Sequence, residues 1–288
     1  MEFELYKNNR IVEITAKYAI QNNNMIDLEK SNQLMDAELA AIKMPVPITG
    51  AKSPKKALLI GINYKGSQNE LRGCINNVDN VAKTLVGFSS IVKLTDDTAT
   101  QPTRDNIFSE FIKIMTDSVS GDCILFLFSG HGSNTVDTNG DESDGMDECL
   151  CTIDNKYIKD DKLNELITTY LKPNVTLFAI MDCCHSGTIL DLKYQYLDYS
   201  ENPKNIETRG NVIMISGCRD DQLGKDALIN SNYQSALIWS FLKSLKKNIT
   251  WRQLMTNMCA SLAGANCKQT PKLSSGKFID IDSKFIFA

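Results

Sequence analysis

The chain is poor in histidine and tryptophan, with two of each in 288 residues, and it has no long apolar run. The longest apolar stretches, such as Ile124–Phe128 and Val175–Met181, fall far short of the ~20 residues that cross a membrane. The opening Met1–Lys7 stretch carries acids where a secretion signal needs bases, and no apolar core follows it. The expectation is a cytoplasmic protein with no membrane partner. Nine cysteines show no framework spacing, which suits reduced thiols. Cys149-Leu150-Cys151 and Cys183-Cys184 lack the two-residue spacer of zinc sites, so structural zinc is not expected. No basic stripe runs along the chain, which argues against nucleic acid and against an anionic lipid surface.

The net charge of −4 is concentrated in one place. Between Asp137 and Asp161 lie nine acids and two lysines, while the rest of the chain carries slightly more bases than acids. The remaining composition, 42% hydrophobic and 23% charged, is that of a globular chain able to bury a core without disulfides or metal.

Residues 1–55 are Asn-rich and read as an N-terminal extension, with one amphipathic helix over Leu28–Ile42. Two readings stay open: a solvated tail, or a segment that packs back on the body, where it covers the cleft or is removed by self-cleavage. From Lys56 a regular alternation sets in. Strands are expected at 57–64, 91–94, 123–128, 175–181 and 212–215, with short ones at 278–281 and 285–287. Helices are expected at 76–86, 103–119, 161–171, 235–245 and 251–263. Strands apolar on both faces and alternating with helices specify a mostly parallel sheet covered on both sides, an α/β domain over residues 56–288. Trp239, Trp251, Met255, Met258 and Leu262 read as core.

In such sheets chemistry gathers at the carboxyl ends of strands. The strand Ile124–Phe128 runs into Ser129-Gly130-His131-Gly132, and the strand ending at Met181 runs into Asp182-Cys183-Cys184-His185-Ser186-Gly187. If the two strands are parallel neighbours, His131 emerges beside the cysteine pair. An imidazole beside a thiol can generate the thiolate nucleophile and later protonate a leaving group. Flanking glycines leave backbone N–H groups free to bind an oxyanion. The 53-residue separation of His131 and Cys184 matches the caspase order of about 50.

These two motifs resemble those of the metacaspases, caspase-like cysteine peptidases. So do Lys56–Tyr64 (KALLIGINY), Leu71–Asn76 (LRGCIN) and Ser216–Asp220 (SGCRD). The resemblance covers residues 56–287 and leaves 1–50 unmatched. It implies the single-chain caspase–haemoglobinase fold, with Cys184 as nucleophile, His131 as general base and acid, and an oxyanion hole from the N–H groups of Gly132 and Cys184. His185 is then a motif neighbour. It also implies cleavage after Arg or Lys, in a pocket lined by Cys74, Ser129, Asp182 and position 77. The family pattern has Asp at that last position and this chain has Asn77. Basic specificity is therefore expected to rest on Asp182, in weakened form.

The acidic block is open to three readings. It is a solvated loop, or an EF-hand-like calcium loop beginning at Asp137, or the calcium site that the resemblance implies. The EF-hand reading meets Glu142 where the turn needs Gly, and a preceding strand where a helix belongs. The family's activating, non-catalytic Ca²⁺ is bound by residues matching Asp147, Asp160, Asp161 and Asp191. Self-cleavage is expected at Lys52–Lys56 or in the polar loop Lys193–Asn211. The resemblance further implies a monomer acting on peptide or protein substrates. Two rivals remain: a non-catalytic adaptor or aggregate-binding protein on the same fold, and an Asp-specific peptidase, which would need a basic pocket.

Overall fold

The computed structural model describes residues 54–136, 145–184, 186–196, 205–217, 227–229, 232–267 and 269–287. The expected extension, apart from Pro54 and Lys55, therefore lies outside the described residues, as do the Leu28–Ile42 helix, Lys52, His185, residues 218–220 and acids 137–144.

A seven-stranded sheet forms the centre. In spatial order it runs β2 (Ser90–Thr95), β1 (Lys55–Gly61), β3 (Cys123–Ser129), β7 (Thr176–Asp182), β9 (Asn211–Ser216), β12 (Lys272–Ser275) and β8 (Tyr194–Tyr196). The first five strands are parallel, and β12 and β8 add an antiparallel edge. The expected mostly parallel α/β architecture is present.

The alternating residues of the apolar strands build two cores. Leu59, Leu125, Phe178, Ile180 and Ile213 pack beneath α1 (Cys74–Thr84), α4 (Ala236–Ser244) and α5 (Trp251–Gly264). Leu58, Ile60, Phe126, Leu177 and Met214 pack beneath α2 (Arg104–Thr116) and α3 (Asp160–Tyr170). Three helix starts are capped as their sequences dictate. Thr103 accepts from the Asn106 N–H and Ser235 from Ile238, while Thr250 and Gln253 form a reciprocal capping box. Among the described residues no helix is long and apolar enough to cross a membrane.

Two smaller sheets stand apart from the main one. A meander of β4 (Gly132–Val136), β5 (Met146–Cys151) and β6 (Tyr157–Lys159) follows β3. A hairpin of β10 (Ala227–Ile229) and β11 (Asn232–Gln234) precedes α4. Antiparallel strands, not helices, flank the acidic loop, which removes the EF-hand reading.

Some sequence expectations need correction. Residues 278–281 and 285–287 are not strands but an aromatic plug. Phe285 packs edge-on against Phe178, Phe241 and Trp251, so its apolar character serves ring packing instead of a ladder. Trp251 is fully buried, but Trp239 is only half-buried, with the Lys243 ammonium 4.6 Å from its ring. Lys55 and Lys56 lie within β1, not in a free loop. Lys56 Nζ bonds the Asp117 carbonyl at 2.7 Å and Asp122 at 3.0 Å, so this segment is poorly placed for nicking. The loop after Lys193 in turn contains strand β8.

Candidate active site

The register of β3 and β7 sets the geometry of the site. The strands are hydrogen-bonded parallel neighbours, with Ser129 directly opposite Asp182. The chain segments that follow therefore leave the sheet side by side, and the Gly130 N–H donates to the Asp182 carbonyl at 3.2 Å. Gly132 packs against the backbone of Cys184. A Cβ placed on it would collide with the Cys184 carbonyl oxygen and stand 3.3 Å from the Cys184 nitrogen. This is close backbone approach of the kind that only glycine permits.

His131 is held from three sides. Its Nε2 lies 2.7 Å from the Asn69 carbonyl, and since a carbonyl only accepts, Nε2 carries the proton and leaves Nδ1 for other work. Its backbone N–H donates to the Tyr64 hydroxyl at 2.8 Å, and that hydroxyl donates to the Cys151 carbonyl at 2.8 Å. Its own carbonyl accepts from the Cys151 N–H at 3.0 Å. The Tyr64 ring lies 4.8 Å from the imidazole, centroid to centroid. Burial pushes the Tyr64 phenol well above its ordinary range, so it stays protonated and can donate.

The two adjacent cysteines differ physically. Cys183 is buried, and burial, with the Asp182 charge second, drives its thiol well above the ordinary range. Cys184 is half-exposed at the carboxyl end of β7.

Beside this pair lies a polar cluster. Asp182 Oδ2 accepts from Ser129 Oγ at 2.6 Å and from Asn77 Nδ2 at 3.0 Å, and Asn77 Nδ2 also reaches Ser129 Oγ at 3.0 Å. Asn77 Oδ1 accepts from the Ser235 N–H at 3.1 Å, at the start of α4, which fixes the amide's orientation. Asn77 and Ser129 are fully buried, and Cys74 is buried one helical turn before Asn77. Helix α1 has no side-chain cap of its own. Asn63, from the loop after β1, accepts from the Cys74 and Ile75 N–H groups at 3.0 and 3.3 Å. This cap seats the Cys74–Asn77 turn below the strand ends. Arg72 reaches the Tyr233 hydroxyl at 3.1 Å and stacks on its ring.

Of the four carboxylates expected to bind calcium, three come together. Asp147, Asp160 and Asp161 each offer an oxygen, all within 4.8 Å of one another. Asp147 and Asp160 are 1% exposed. Asp160 Oδ2 accepts from the Glu148 N–H at 2.6 Å and Oδ1 from the Asp161 N–H at 2.8 Å. Burial raises the Asp160 carboxyl above its ordinary range, and the Asp147 charge adds to that. Asp147 Oδ2 pairs with Lys159 Nζ, whereas Oδ1 is buried with no hydrogen-bond partner among the described residues. An orphaned carboxylate oxygen in an all-oxygen cluster fits a hard cation. Asp191 is not part of the trio. It lines, with Asp161, a pocket of about 150 Å³.

The sequence reading missed Tyr64, Asn63 and Asn69 as positioning residues. Asn69 acts through its carbonyl, which any residue would supply, so no side-chain signal exists for it.

Gly132→Ala is expected to lower kcat/KM about a hundredfold, because a methyl there pushes the Cys184 backbone out of place. Peptide hydrolysis beside a thermal melt checks this; full activity would show that the two segments stand farther apart.

Three comparisons bear on identity. The Metacaspase, peptidase C14 domain profile matches residues 55–193. The chain is 34% identical to Metacaspase-1 of Scheffersomyces stipitis, covering 81% of this chain and 73% of that one. It is 30% identical to Metacaspase-1 of Meyerozyma guilliermondii, covering 98% and 81%. A crystal structure of a Geobacter sulfurreducens protein shares the fold with a TM-score of 0.62 at 22% identity, covering 82% of this chain and 99% of that one. With the sheet, the paired strand ends and these relatives in place, the chain belongs to the metacaspases and is a cysteine-type peptidase.

Proposed function

We propose that the chain hydrolyses peptide bonds after Arg or Lys, with Cys184 as nucleophile and His131 as general base and acid, stimulated by calcium. The observation that carries this reading is the β3–β7 register, which delivers the Ser129–Gly132 and Asp182–Cys184 segments to one edge in contact. Cys184 Sγ attacks the scissile carbonyl carbon while its proton passes to His131. The oxyanion is bound by the N–H groups of Gly132 and Cys184. His131 protonates the departing amine, leaving a thioester. Water, deprotonated by His131, then adds to the thioester, and the thiol leaves with the proton. Asp182, supported by donors from Ser129 and Asn77, receives the substrate's cationic side chain.

Asp147, Asp160 and Asp161 would hold the calcium, with Asp191 completing the set if its loop closes. When bound, the ion supplies positive charge to a carboxylate cluster and does no chemistry on the substrate. The cluster is tied to the Cys184 loop. Thr188 donates to Glu148 at 2.5 Å, the Asp191 N–H reaches the Thr188 carbonyl at 2.6 Å, and Asn164 of α3 reaches the Leu190 carbonyl at 3.0 Å. Ordering these contacts orders the loop that bears the nucleophile. Self-cleavage after Lys52, outside the described residues, or after exposed Arg209 belongs to the same proposal. A cytoplasmic, monomeric enzyme belongs to it as well.

The test is hydrolysis of fluorogenic peptides ending in Arg, Lys or Asp, with calcium or with chelator. Cleavage after Arg and Lys, faster with calcium, is expected. Preference for Asp would overturn the pocket assignment. Asp160→Asn with Asp161→Asn is expected to hold the calcium rate at the chelator rate, and undiminished stimulation would refute the cation site.

A further inference from the structure

The carboxylate cluster already contains a cation. Lys159 is the last residue of β6, and its ammonium pairs with Asp147 Oδ2. In the β5–β6 register Lys159 stands opposite Cys149, two residues along the strand from Asp147, so both side chains rise from the same face of the meander. On its other side the chain passes directly into Asp160 and Asp161. Lys159 is bound to the cluster covalently through its backbone and can neither dissociate nor diffuse away.

We propose that Lys159 is a tethered internal cation that occupies part of the calcium site and sets the calcium concentration at which the site fills. This rests on the calcium reading above and deepens it by naming how the site is tuned. Binding must displace the ammonium from Asp147 or proceed against its repulsion. The Asp147 side chain is 1% exposed whereas that of Lys159 is 37% exposed. The lysine can therefore swing into water, whereas the aspartate cannot leave. Three clustered carboxylates without any cation would repel one another in a buried site. The tethered ammonium relieves that repulsion in calcium-free protein, so the fold persists without the ion. An ammonium supplies one charge and no fixed coordination sphere, and the Asp147 Oδ1, which has no hydrogen-bond partner among the described residues, remains open to a divalent ion. The displaced lysine has somewhere to go. Lys159 lines an open groove with Thr135, Tyr157, Asp161 and Glu165, where a displaced ammonium is hydrated.

The test uses the full chain carrying Cys184→Ala, so that it cannot cut itself, with calcium affinity measured by isothermal titration. Lys159→Met, which keeps the stem and removes the charge, is expected to bind calcium about tenfold more tightly than its parent. Lys159→Arg is expected to stay within about twofold, since the charge is kept. Thermal melts give a second readout. Lys159→Met should melt lower in chelator, and calcium should close that gap. A methionine variant that folds only with calcium supports the proposal, and one that folds in neither condition overturns it. Equal or weaker calcium affinity in Lys159→Met overturns it too, as does an equal loss of melting temperature with and without calcium. Calcium binding that survives Asp160→Asn with Asp161→Asn, or is absent throughout, overturns the calcium reading itself and this inference with it.

Discussion

Cys184→Ala is expected to abolish peptide hydrolysis, and His131→Ala to lower kcat about a thousandfold or more with KM little changed. The asymmetry follows from the chemistry. Without the sulfur no thioester forms, whereas without the imidazole a small thiolate fraction still attacks and water slowly replaces the proton carrier. Cys183 cannot stand in for its neighbour, because its buried thiol, raised further by Asp182, holds its proton at neutral pH. Cys183→Ala should accordingly keep most of the activity. The same logic separates the imidazole's positioners from the imidazole. The Asn69 carbonyl fixes which nitrogen carries the proton, and Tyr64, through the His131 backbone N–H and its ring, fixes where the imidazole stands. Activity surviving in Cys184→Ala but lost in Cys183→Ala would reverse the assignment of the nucleophile.

Residue chemistry explains which parts of this fold could be read from sequence. Four of the five parallel strands, β1, β3, β7 and β9, announce themselves because both faces are buried, so their apolar runs are continuous, whereas the edge strand β2 is only partly buried and only its Ile91–Leu94 stretch is strand-like. Strands β8 and β12, reading Tyr-Gln-Tyr and Lys-Leu-Ser-Ser, carry no such run and owe their existence to pairing with β9 and each other. The converse error occurs at 278–281 and 285–287, where apolar residues look strand-like but pack as rings, Phe285 and Phe287 against Phe178 and Phe278 against Tyr194 and Tyr196. Trp239 misleads for a related reason. Its helix is buried on one side only, and position 239 falls at the margin, where Lys243 covers it. In the site, the strand-end motifs named His131, Gly132 and the Cys183–Cys184 pair, because local sequence dictates glycine-flanked turns after apolar strands. The roles of Asn63 and Asn69 depend on where a loop folds back, and Lys159 meets Asp147 only through strand register. Spacing in sequence does not reveal such pairings.

Asp182→Asn is expected to lower kcat/KM for Arg and Lys peptides by about a hundred- to a thousandfold, with most of the loss in KM. A guanidinium withdrawn from water needs a charge partner, and in the proposed pocket Asp182 supplies the one formal charge. Its neighbours cannot replace it. Asn77 turns its amide nitrogen toward Asp182 because its oxygen is committed to the Ser235 N–H, so the cluster offers donors around a single carboxylate. Asn77→Asp is the informative reverse change. It keeps an acceptor for Ser235 but sets a second carboxylate where the amide nitrogen now lies 3.0 Å from Asp182 Oδ2. Two carboxylates that close do not both ionise readily, and the pair's second proton is released at a raised pKa. Below that pKa the pocket holds one charge, as in the parent, and KM for Arg peptides should match. Above it the pocket holds two, and KM should fall under the parent's, with the advantage widening as pH rises through the transition. A KM profile for both proteins from acidic to alkaline pH reads this directly. Curves that stay superimposed, together with an Asp182→Asn loss under tenfold, would place the substrate's cation somewhere other than this cluster.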